Sequence, residues 1–275
     1  GLAKDTRVDH IKGDIKELPQ DYYGFQTSDF VGGHVVGCFG DYVNELRKEH
    51  PGIYEKYQLE NSYYKSHSTY QTWRMDIPAE LHYNHWIADK TIDFLENLNE
   101  DENFFLWCSF PDPHHPFAAC KPYSEMYDPD DLSINPSWQT ENDYYAHLEE
   151  KRGQYKKYAK FNEEDLREVM AQTYGMISHI DYNIGRVLNK LEAKGLDQNT
   201  MIVFLSDHGE FLGSHHLLTK SYWLYEEITR IPFIIKDPGA SPELKGKKEF
   251  GLVSTIDIAP TVLDYAGITA EEMDM

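Results

Sequence analysis

The stretch Met201-Ile202-Val203-Phe204-Leu205-Ser206-Asp207-His208-Gly209-Glu210 decides the predicted fold. It begins with five apolar residues that run without alternation into a polar cluster. A run of this kind predicts a strand that is buried on both faces of a sheet. Asp207 and His208, two residue types that bind metals, follow the strand directly. Because ligands bind beyond the carboxyl ends of strands in open α/β sheets, we expect the functional site at this position.

The composition makes several classes of partner unfavourable. The net charge is −21, with 47 acidic residues against 26 Lys and Arg, so the protein repels nucleic acids and anionic membranes. An anionic substrate must therefore be held by a few local cations. No apolar run reaches the length of a membrane span. The three cysteines, Cys38, Cys108 and Cys120, lack metal-finger spacing, and an odd number cannot form a closed set of disulfides.

The hydrophobic periodicity predicts an α/β layer architecture, with a mixed, largely parallel sheet flanked by helices. Residues 1–75 show little periodicity and are predicted to be an irregular excursion, whereas 76–275 form the α/β core portion. The predicted helices are 40–49, 78–98, 162–195 and 257–267, with a further short charged helix near 141–160. The predicted strands are 104–110, 201–205 and 231–235.

Two strand ends and the following loops supply the candidate site residues. Asp207 offers an oxygen and His208 a nitrogen to a divalent cation, although an Asp at a strand end also commonly caps a turn. Lys220 is a point charge suited to a sulfate or phosphate oxyanion, and a solvated surface Lys is its ordinary alternative. His114, after the strand 104–110, can donate a hydrogen bond or a proton, and a structural His is the alternative. His215 is a weaker candidate for binding substrate.

No activated nucleophile is visible in the sequence. The segment Cys120-Lys121-Pro122-Tyr123-Ser124 is similar to a Cys-x-Pro-Ser-Arg signature, but its Ser is displaced by one position and its Arg is absent. We therefore interpret it as a loop. A Gly-x-Ser-x-Gly elbow, a phosphate-binding Gly-rich loop and a His-Glu-x-x-His motif are also missing from the sequence.

Taken together, these stretches resemble the sulfatase family of the alkaline phosphatase-like superfamily, over roughly residues 80–270. The motifs that carry the resemblance are Thr200 to Glu210, Gly213-x-His-x-Leu-x-x-Lys220, Tyr225-Glu226-Glu227, Arg230-Ile231-Pro232, Asp237-Pro238-Gly239, Ser178-x-Ile180-Asp181, Gly185-Arg186-Val187-Leu188, Ser109-Phe110-x-x-Pro113-His114-x-Pro116-Phe117 and Asp257-x-Ala259-Pro260-Thr261. Each motif is moderately specific alone, and their order makes the set strongly specific. The fold that the resemblance implies is an alkaline phosphatase-like sulfatase core.

The resemblance also implies a role for each matched residue. Asp207 and His208 match the downstream half of the family's metal site, Lys220 matches the Lys that contacts the sulfate group, and His114 matches the His that binds sulfate or assists the leaving oxygen. The family's usual metal is Ca²⁺. Because a His in place of the family's Asn is a poorer ligand for Ca²⁺, the sequence leaves Mg²⁺, Mn²⁺ and Zn²⁺ open.

The chain also departs from the family pattern. The family's first acidic metal-binding pair and its Cys/Ser-x-Pro-x-Arg nucleophile, which matures to formylglycine, lie upstream of every matched motif. We therefore expect residues 1–275 to be a partial catalytic domain that is inactive alone and leaves apolar sheet surface uncovered. The expected substrate is a small-molecule or saccharide sulfate ester. The alternatives are a phosphonate monoester or phosphodiester hydrolase of the same superfamily and a non-catalytic binding domain.

Overall fold

The computed structural model describes residues 18, 21–65, 72–99, 102–139, 162–220 and 224–269. The helix predicted near 141–160 lies outside these ranges. The chain forms two compact units: Gly1–Asp197 with Glu210–Tyr222, and Gln198–Gly209 with Trp223–Met275. The first unit contains β1 (Val31–Gly32), β2 (Phe39–Gly40), α1 (Asp41–Glu49), β3 (Tyr64–Lys65), β4 (Trp73–Arg74), α2 (Tyr83–Asn97) and α3 (Glu163–Ala193). The second contains β5 (Ile202–Leu205), α4 (Glu226–Thr229), β6 (Phe233–Lys236) and α5 (Ile258–Tyr265).

The four predicted helices within the described residues are confirmed. The start of α3 is the clearest case, since Asn162 Oδ1 accepts the Asp165 N–H at 2.9 Å and Asp165 Oδ2 accepts the Asn162 N–H at 3.4 Å, which forms a reciprocal cap. Helix α2 begins five residues later than predicted, because a short 3₁₀ turn at Ala79–Leu81 precedes the extended cap residue His82. In the described part of the chain, no helix is long and apolar enough to cross a membrane.

The strands differ from the predictions in three ways. Residues 104–110 form no strand, and Phe105 and Trp107 are 57% and 64% exposed. That prediction was wrong because an apolar run becomes a strand only beside a hydrogen-bonding partner, and the structure gives this run no pairing among the described residues. Strand β5 lies where predicted, but it is not buried on both faces, since Phe204 is 41% exposed. Its partner β6, near the strand predicted at 231–235, runs antiparallel to it.

Parallel pairing occurs elsewhere in the first unit. Strand pairs β1–β2 and β3–β4 are antiparallel, like β5–β6. The segment 72–78, however, runs parallel to 117–121, with Met75 N donating to Ala119 O at 3.1 Å and Lys121 N donating to Ile77 O at 2.9 Å. The predicted largely parallel sheet thus differs from the pairing of the described strands. This short parallel ladder joins 117–121 to 72–78, in which Trp73, Met75 and Ile77 alternate with polar residues as in a strand, although no strand was predicted there.

The predicted irregular excursion supplies much of the core of the first unit. Its residues are scattered in sequence but buried together, and they pack against Ala118 and Cys120. They include Val35, Cys38, Tyr42, Val43, Leu46, Tyr57, Trp73 and Met75. The buried Tyr42 and Tyr57 hydroxyls lie 2.6 Å apart, and Tyr42 also donates to Leu81 O at 2.7 Å. Aromatic residues without a regular period therefore form a core that periodicity alone could not predict.

Helix α3 lies against the segment that follows the parallel ladder. A Cβ on Gly175 would lie 2.4 Å from Tyr123 O, so this close approach needs glycine. Two turns earlier, the buried Glu168 carboxylate accepts two bonds from Arg74, from Nε and Nη2, both at 2.7 Å. Gln172 donates to Glu168 Oε1 at 2.9 Å and to Ser124 O at 3.1 Å, so every oxygen of this network has a donor.

We predict that Arg74→Ala destabilises the protein by about 3–5 kcal/mol, because it leaves the Glu168 carboxylate, 4% exposed, without its cation. Urea denaturation followed by circular dichroism measures this free energy of unfolding. The matched control is Lys56→Ala in the same unit, because its ion pair with Asp76 is exposed and Lys121 also pairs with Asp76. The control should lose less than about 1 kcal/mol. Equal losses in the two variants would contradict the prediction.

The β5–β6 sheet presents an apolar face. Phe204 and Ile234 are register partners, so their side chains project from the same face, and they are 41% and 61% exposed.

We predict that the 275-residue chain self-associates through this face and that the double variant Phe204→Ser/Ile234→Thr shifts it towards monomer. Static light scattering measures the mass, and Leu244→Ser, an exposed apolar residue outside the sheet, is the control. A wild-type chain that is monomeric at all concentrations would refute the prediction.

Candidate functional site

Asp207 and His208 lie together at the end of β5 in the second unit. Asp207 Oδ2 and His208 Nε2 are 3.6 Å apart, which suits two ligands of one cation, since ligand bonds of about 2.0–2.4 Å place such atoms roughly 3–4 Å from each other. His208 Nδ1 lies 2.7 Å from Gly209 O. Because a carbonyl only accepts, Nδ1 carries the ring proton and the Nε2 lone pair is available to a metal.

The backbone turns sharply after these two residues. Gly209 N donates to Ile228 O at 2.8 Å, and a Cβ on Gly209 would lie 1.9 Å from Glu227 O. Only glycine permits this approach, which allows consecutive side chains at 207 and 208 to face a common point. The residues present thus fit a divalent cation, with Asp207 83% exposed at the surface of its unit.

Lys220 ends a loop of the first unit whose backbone hydrogen-bonds to the half-buried carboxylate of Glu210. Glu210 accepts the Leu212 N–H at 3.2 Å, and burial raises the pKa of Glu210 to about 7. The pKa of Glu210 is lowered in part by hydrogen bonds from the backbone N–H groups of Leu212, Thr219 and Phe211, and by the positive charge of Lys220. Glu210 therefore binds the backbone of the loop. Lys220, at the end of the loop, is exposed.

The backbone of the same loop is strained. Four of its non-glycine residues have positive φ, and they are Leu212, His215, His216 and Thr219, at 44°, 56°, 58° and 63°. Such conformations cost free energy and persist only where the surroundings hold them, which is common at functional sites. His216 is held by Trp138, whose ring stacks on it with centroids 3.9 Å apart. His215 donates its backbone N–H to Ser137 Oγ at 3.1 Å.

His114 lies in a stack of imidazole rings. Its Nδ1 lies 2.5 Å from His115 O, and because a carbonyl only accepts, Nδ1 is the donor. The His115 ring stacks on it with centroids 4.2 Å apart. On the basis of geometry, His34 belongs to the same group, since its ring lies 3.6 Å from that of His114 at an interplanar angle of 9°. His34 was not predicted as a site residue, because it lies in the first 75 residues, which show little periodicity.

The His114 and Lys220 loops are anchored in one hydrophobic cluster. Phe117, three residues after His114, and Leu218, two residues before Lys220, are both buried in the cluster that contains Leu166 and Val169 of α3. The first unit therefore places the buried residues Phe117 and Leu218, which adjoin these two loops, in one cluster. Asp207 and His208 belong to the other unit, so the single pocket around all four side chains stays a prediction.

A buried carboxyl group supports the His114 loop. Asp112 accepts hydrogen bonds from the Tyr83 hydroxyl and from Asn84 Nδ2, the latter at 2.7 Å, and both donors lie at the start of α2. Burial raises the pKa of Asp112 from its ordinary value of 3.8 to about 7. The hydrogen bonds from Tyr83 and Asn84 act in the opposite sense and lower the pKa, but burial is the larger effect. The carboxyl group thus connects α2 to the segment that carries His114.

Comparisons with known proteins agree with the fold and the motif order. The family profile described as Sulfatase matches residues 47–268. An arylsulfatase of Clostridium perfringens is 38% identical over 194 residues, which cover 69% of this chain and 39% of the relative. The multifunctional alkaline phosphatase superfamily protein PehA of Trinickia caryophylli is 33% identical over 206 residues, which cover 70% and 39% of the two chains.

A solved structure gives the same result. The phosphonate monoester hydrolase of Agrobacterium radiobacter superposes with a TM-score of 0.67 at 25% identity, covering 83% of this chain and 47% of that one. The predicted α/β fold class is thereby confirmed. The chain spans less than half the length of each of these three relatives.

We predict a specific pH dependence for Asp112. A carboxyl group whose folded-state pKa is raised stabilises the fold below the unfolded-state value, and this stabilisation is lost as the pH rises towards the folded-state value. The free energy of unfolding of the wild type, minus that of Asp112→Asn, should therefore fall by about 1.4 kcal/mol per pH unit between pH 4 and 7. Urea titrations at several pH values measure this difference, in which the histidines common to both proteins cancel. Parallel curves would exclude the assignment.

Proposed function

The chain belongs to the sulfatase family, and from this premise we propose that the whole protein hydrolyses sulfate esters. The observation that carries the proposal is the Asp207–His208 pair, with Oδ2 and Nε2 at 3.6 Å and the Nδ1 proton held by Gly209 O. This arrangement offers one hard oxygen and one imidazole lone pair to a single cation.

A divalent cation fits these two ligands, and Asp207 and His208 are the residues that would hold it. We favour Ca²⁺ from the family resemblance, with Mg²⁺, Mn²⁺ and Zn²⁺ as alternatives because His208 supplies nitrogen. When bound, such a cation neutralises the negative charge of the sulfate oxygens. The proposed nucleophile is the family's formylglycine, which would come from a part of the protein outside these 275 residues.

Three residues of the first unit complete the proposed site. Lys220, at the end of the strained loop, would bind a sulfate oxygen as a point charge. His114 would donate a hydrogen bond or a proton from its imidazole to the sulfate group or to the leaving oxygen. His215 would contact the substrate from the same strained loop. These groups would attract an anionic substrate at short range and so offset the repulsion that the net charge of −21 imposes on it.

We include His34 in the proposed site as a positioning residue. Its ring covers one face of His114 at 3.6 Å, and His115 lies 4.2 Å from the His114 ring. A ring fixed by its two neighbours keeps Nε2 in a constant direction, and this preorganisation favours proton donation. His34 would therefore affect turnover without contacting the sulfur atom.

One observation favours a second candidate function. The phosphonate monoester hydrolase superposes over most of this chain, and phosphonate and sulfate esters present similar tetrahedral oxyanions. We therefore retain hydrolysis of phosphonate monoesters or phosphodiesters as the alternative. A non-catalytic binding domain is the third possibility, and it predicts that the whole protein lacks affinity for divalent metals.

We predict that His114→Ala and Lys220→Ala each lower kcat/KM of the full-length protein for 4-nitrophenyl sulfate by about 10²–10³-fold, because each removes a group that neutralises developing charge. Chelation of divalent metal should abolish activity, and added Ca²⁺ should restore it. Steady-state kinetics with 4-nitrophenyl sulfate and with bis(4-nitrophenyl) phosphate in parallel measure both activities.

Lys245→Ala is the matched control, because Lys245 is an exposed lysine of the other unit and belongs to no motif of the proposed site. This variant should keep wild-type kinetics. Faster turnover of the phosphodiester than of the sulfate would favour the second candidate function. Wild-type activity in both His114→Ala and Lys220→Ala would contradict the proposed roles.

A further inference from the structure

A second group of metal-binding residue types lies in the core of the first unit. His82, Cys120 and His179 each place one ligand atom within 4.8 Å of those of the other two. All three side chains are buried, with exposed fractions of 1% each. None of the three has a role in the proposed sulfate site. Cys120 lies in a segment that the sequence predicts to be a loop without a nucleophile.

Three separate elements bring these residues together. His82 is the cap residue of α2, Cys120 lies on the parallel ladder beside 72–78, and His179 lies in the middle of α3. The close approach at Gly175, one helical turn before His179, brings α3 onto the segment that follows Cys120. The cluster is therefore a consequence of core packing, and its residues are far apart in sequence.

The cluster has unsatisfied polar atoms. Nε2 of His82 is buried and has no hydrogen-bond partner among the described residues. Nε2 of His179 also has none there, but that ring approaches Cys120 through Nδ1. Burial without a partner costs free energy, so an orphaned nitrogen in a core needs an explanation. Aromatic rings enclose the site, with Tyr83 3.9 Å from His82 and Tyr123 4.7 Å from His179, measured between ring centroids.

We propose that His82, Cys120 and His179 bind one soft divalent cation of the Zn²⁺ class. Cys120 Sγ lies 3.3 Å from His179 Nδ1, close to the roughly 3.6 Å that separates a sulfur and a nitrogen ligand of tetrahedral Zn²⁺. A thiolate and two imidazoles form a ligand set that selects Zn²⁺ over Ca²⁺ and Mg²⁺. One coordination position remains for a fourth ligand.

The protonation states are consistent with this ligand set. Burial lowers the pKa of His82 well below its usual value and that of His179 to about 3, so both rings are neutral and hold a lone pair. Binding converts the Cys120 thiol to a thiolate, and the displaced proton leaves to solvent. Coordination through His82 Nε2 moves its ring proton to Nδ1 and replaces the long 3.3 Å contact from Asn84 N.

The cation would have a structural role. It would connect the start of α2, the parallel ladder and the middle of α3 at one point. Since no member of the cluster is exposed, the cation would enter as the protein folds. The bond to Cys120 would also fix the segment that begins at His114, six residues earlier in the chain.

The test uses the full-length protein produced in zinc-supplemented medium and dialysed exhaustively, with zinc per chain measured by mass spectrometry. The wild type and the Asp207→Asn variant should both retain about one zinc ion, which separates this site from the proposed sulfate site. Cys120→Ser should retain at least about 10-fold less, and Cys108→Ser, the matched cysteine control outside the cluster, should retain the wild-type amount. Loss of zinc in Asp207→Asn, or retention in Cys120→Ser, would overturn the proposal.

A measurement on the unsubstituted protein covers the case in which Cys120→Ser does not fold. X-ray absorption at the zinc edge should show one sulfur at about 2.3 Å together with nitrogen ligands at about 2.0–2.1 Å. With Co²⁺ in place of zinc, a thiolate-to-metal charge-transfer band should appear, which Asp207 and His208 cannot produce. A zinc shell of only oxygen and nitrogen, or a protein that retains no zinc, would refute the proposal irrespective of the hydrolase activity.

Discussion

The buried carboxylate of Glu168 is the constraint on which the first unit depends. A charge in the core needs a partner, and Arg74 supplies it with two bonds at 2.7 Å. Gln172 joins the carboxylate to the carbonyl of Ser124. Since Arg74 lies on the parallel ladder and Glu168 on α3, the ion pair sets the position of the helix relative to the ladder. Gly175 then permits the contact with Tyr123 O that an alanine would prevent.

This packing places two kinds of chemistry on the same scaffold. Towards the surface, the loops of His114 and Lys220 are both anchored in the hydrophobic cluster around α3. Asp112 accepts hydrogen bonds from Tyr83 and Asn84, and Glu210 accepts one from Leu212 N. In the interior, the same helix contributes His179 to a cluster with His82 and Cys120. The surface groups suit an oxyanion, because they are local cations and donors. The interior group suits a soft metal, because it combines sulfur with two neutral imidazoles.

The histidines show how the environment, and not the residue type, assigns a role. His208 and His114 each donate Nδ1–H to a nearby backbone carbonyl. His216 is instead engaged by Trp138 through its ring and through Nδ1, 3.0 Å from the Trp138 carbonyl. His34 stacks on His114 and positions it. Adjacent positions in sequence, such as 215 and 216, therefore have different surroundings.

The sequence alone determined the family, the helices and the candidate ligands, because each of these depends on local information. The cap at Asn162, the period of α3 and the Asp-His-Gly turn after β5 are all encoded within a few neighbouring residues. Strand pairing is not local. The run 104–110 has the composition of a strand but no pairing among the described residues, whereas the segment 72–78, in which Trp73, Met75 and Ile77 alternate with polar residues, pairs in parallel with 117–121. The stack of His34 on His114, 80 positions apart, and the cluster of His82, Cys120 and His179, 38 to 97 positions apart, were decided only by the tertiary structure, since they join distant parts of the chain.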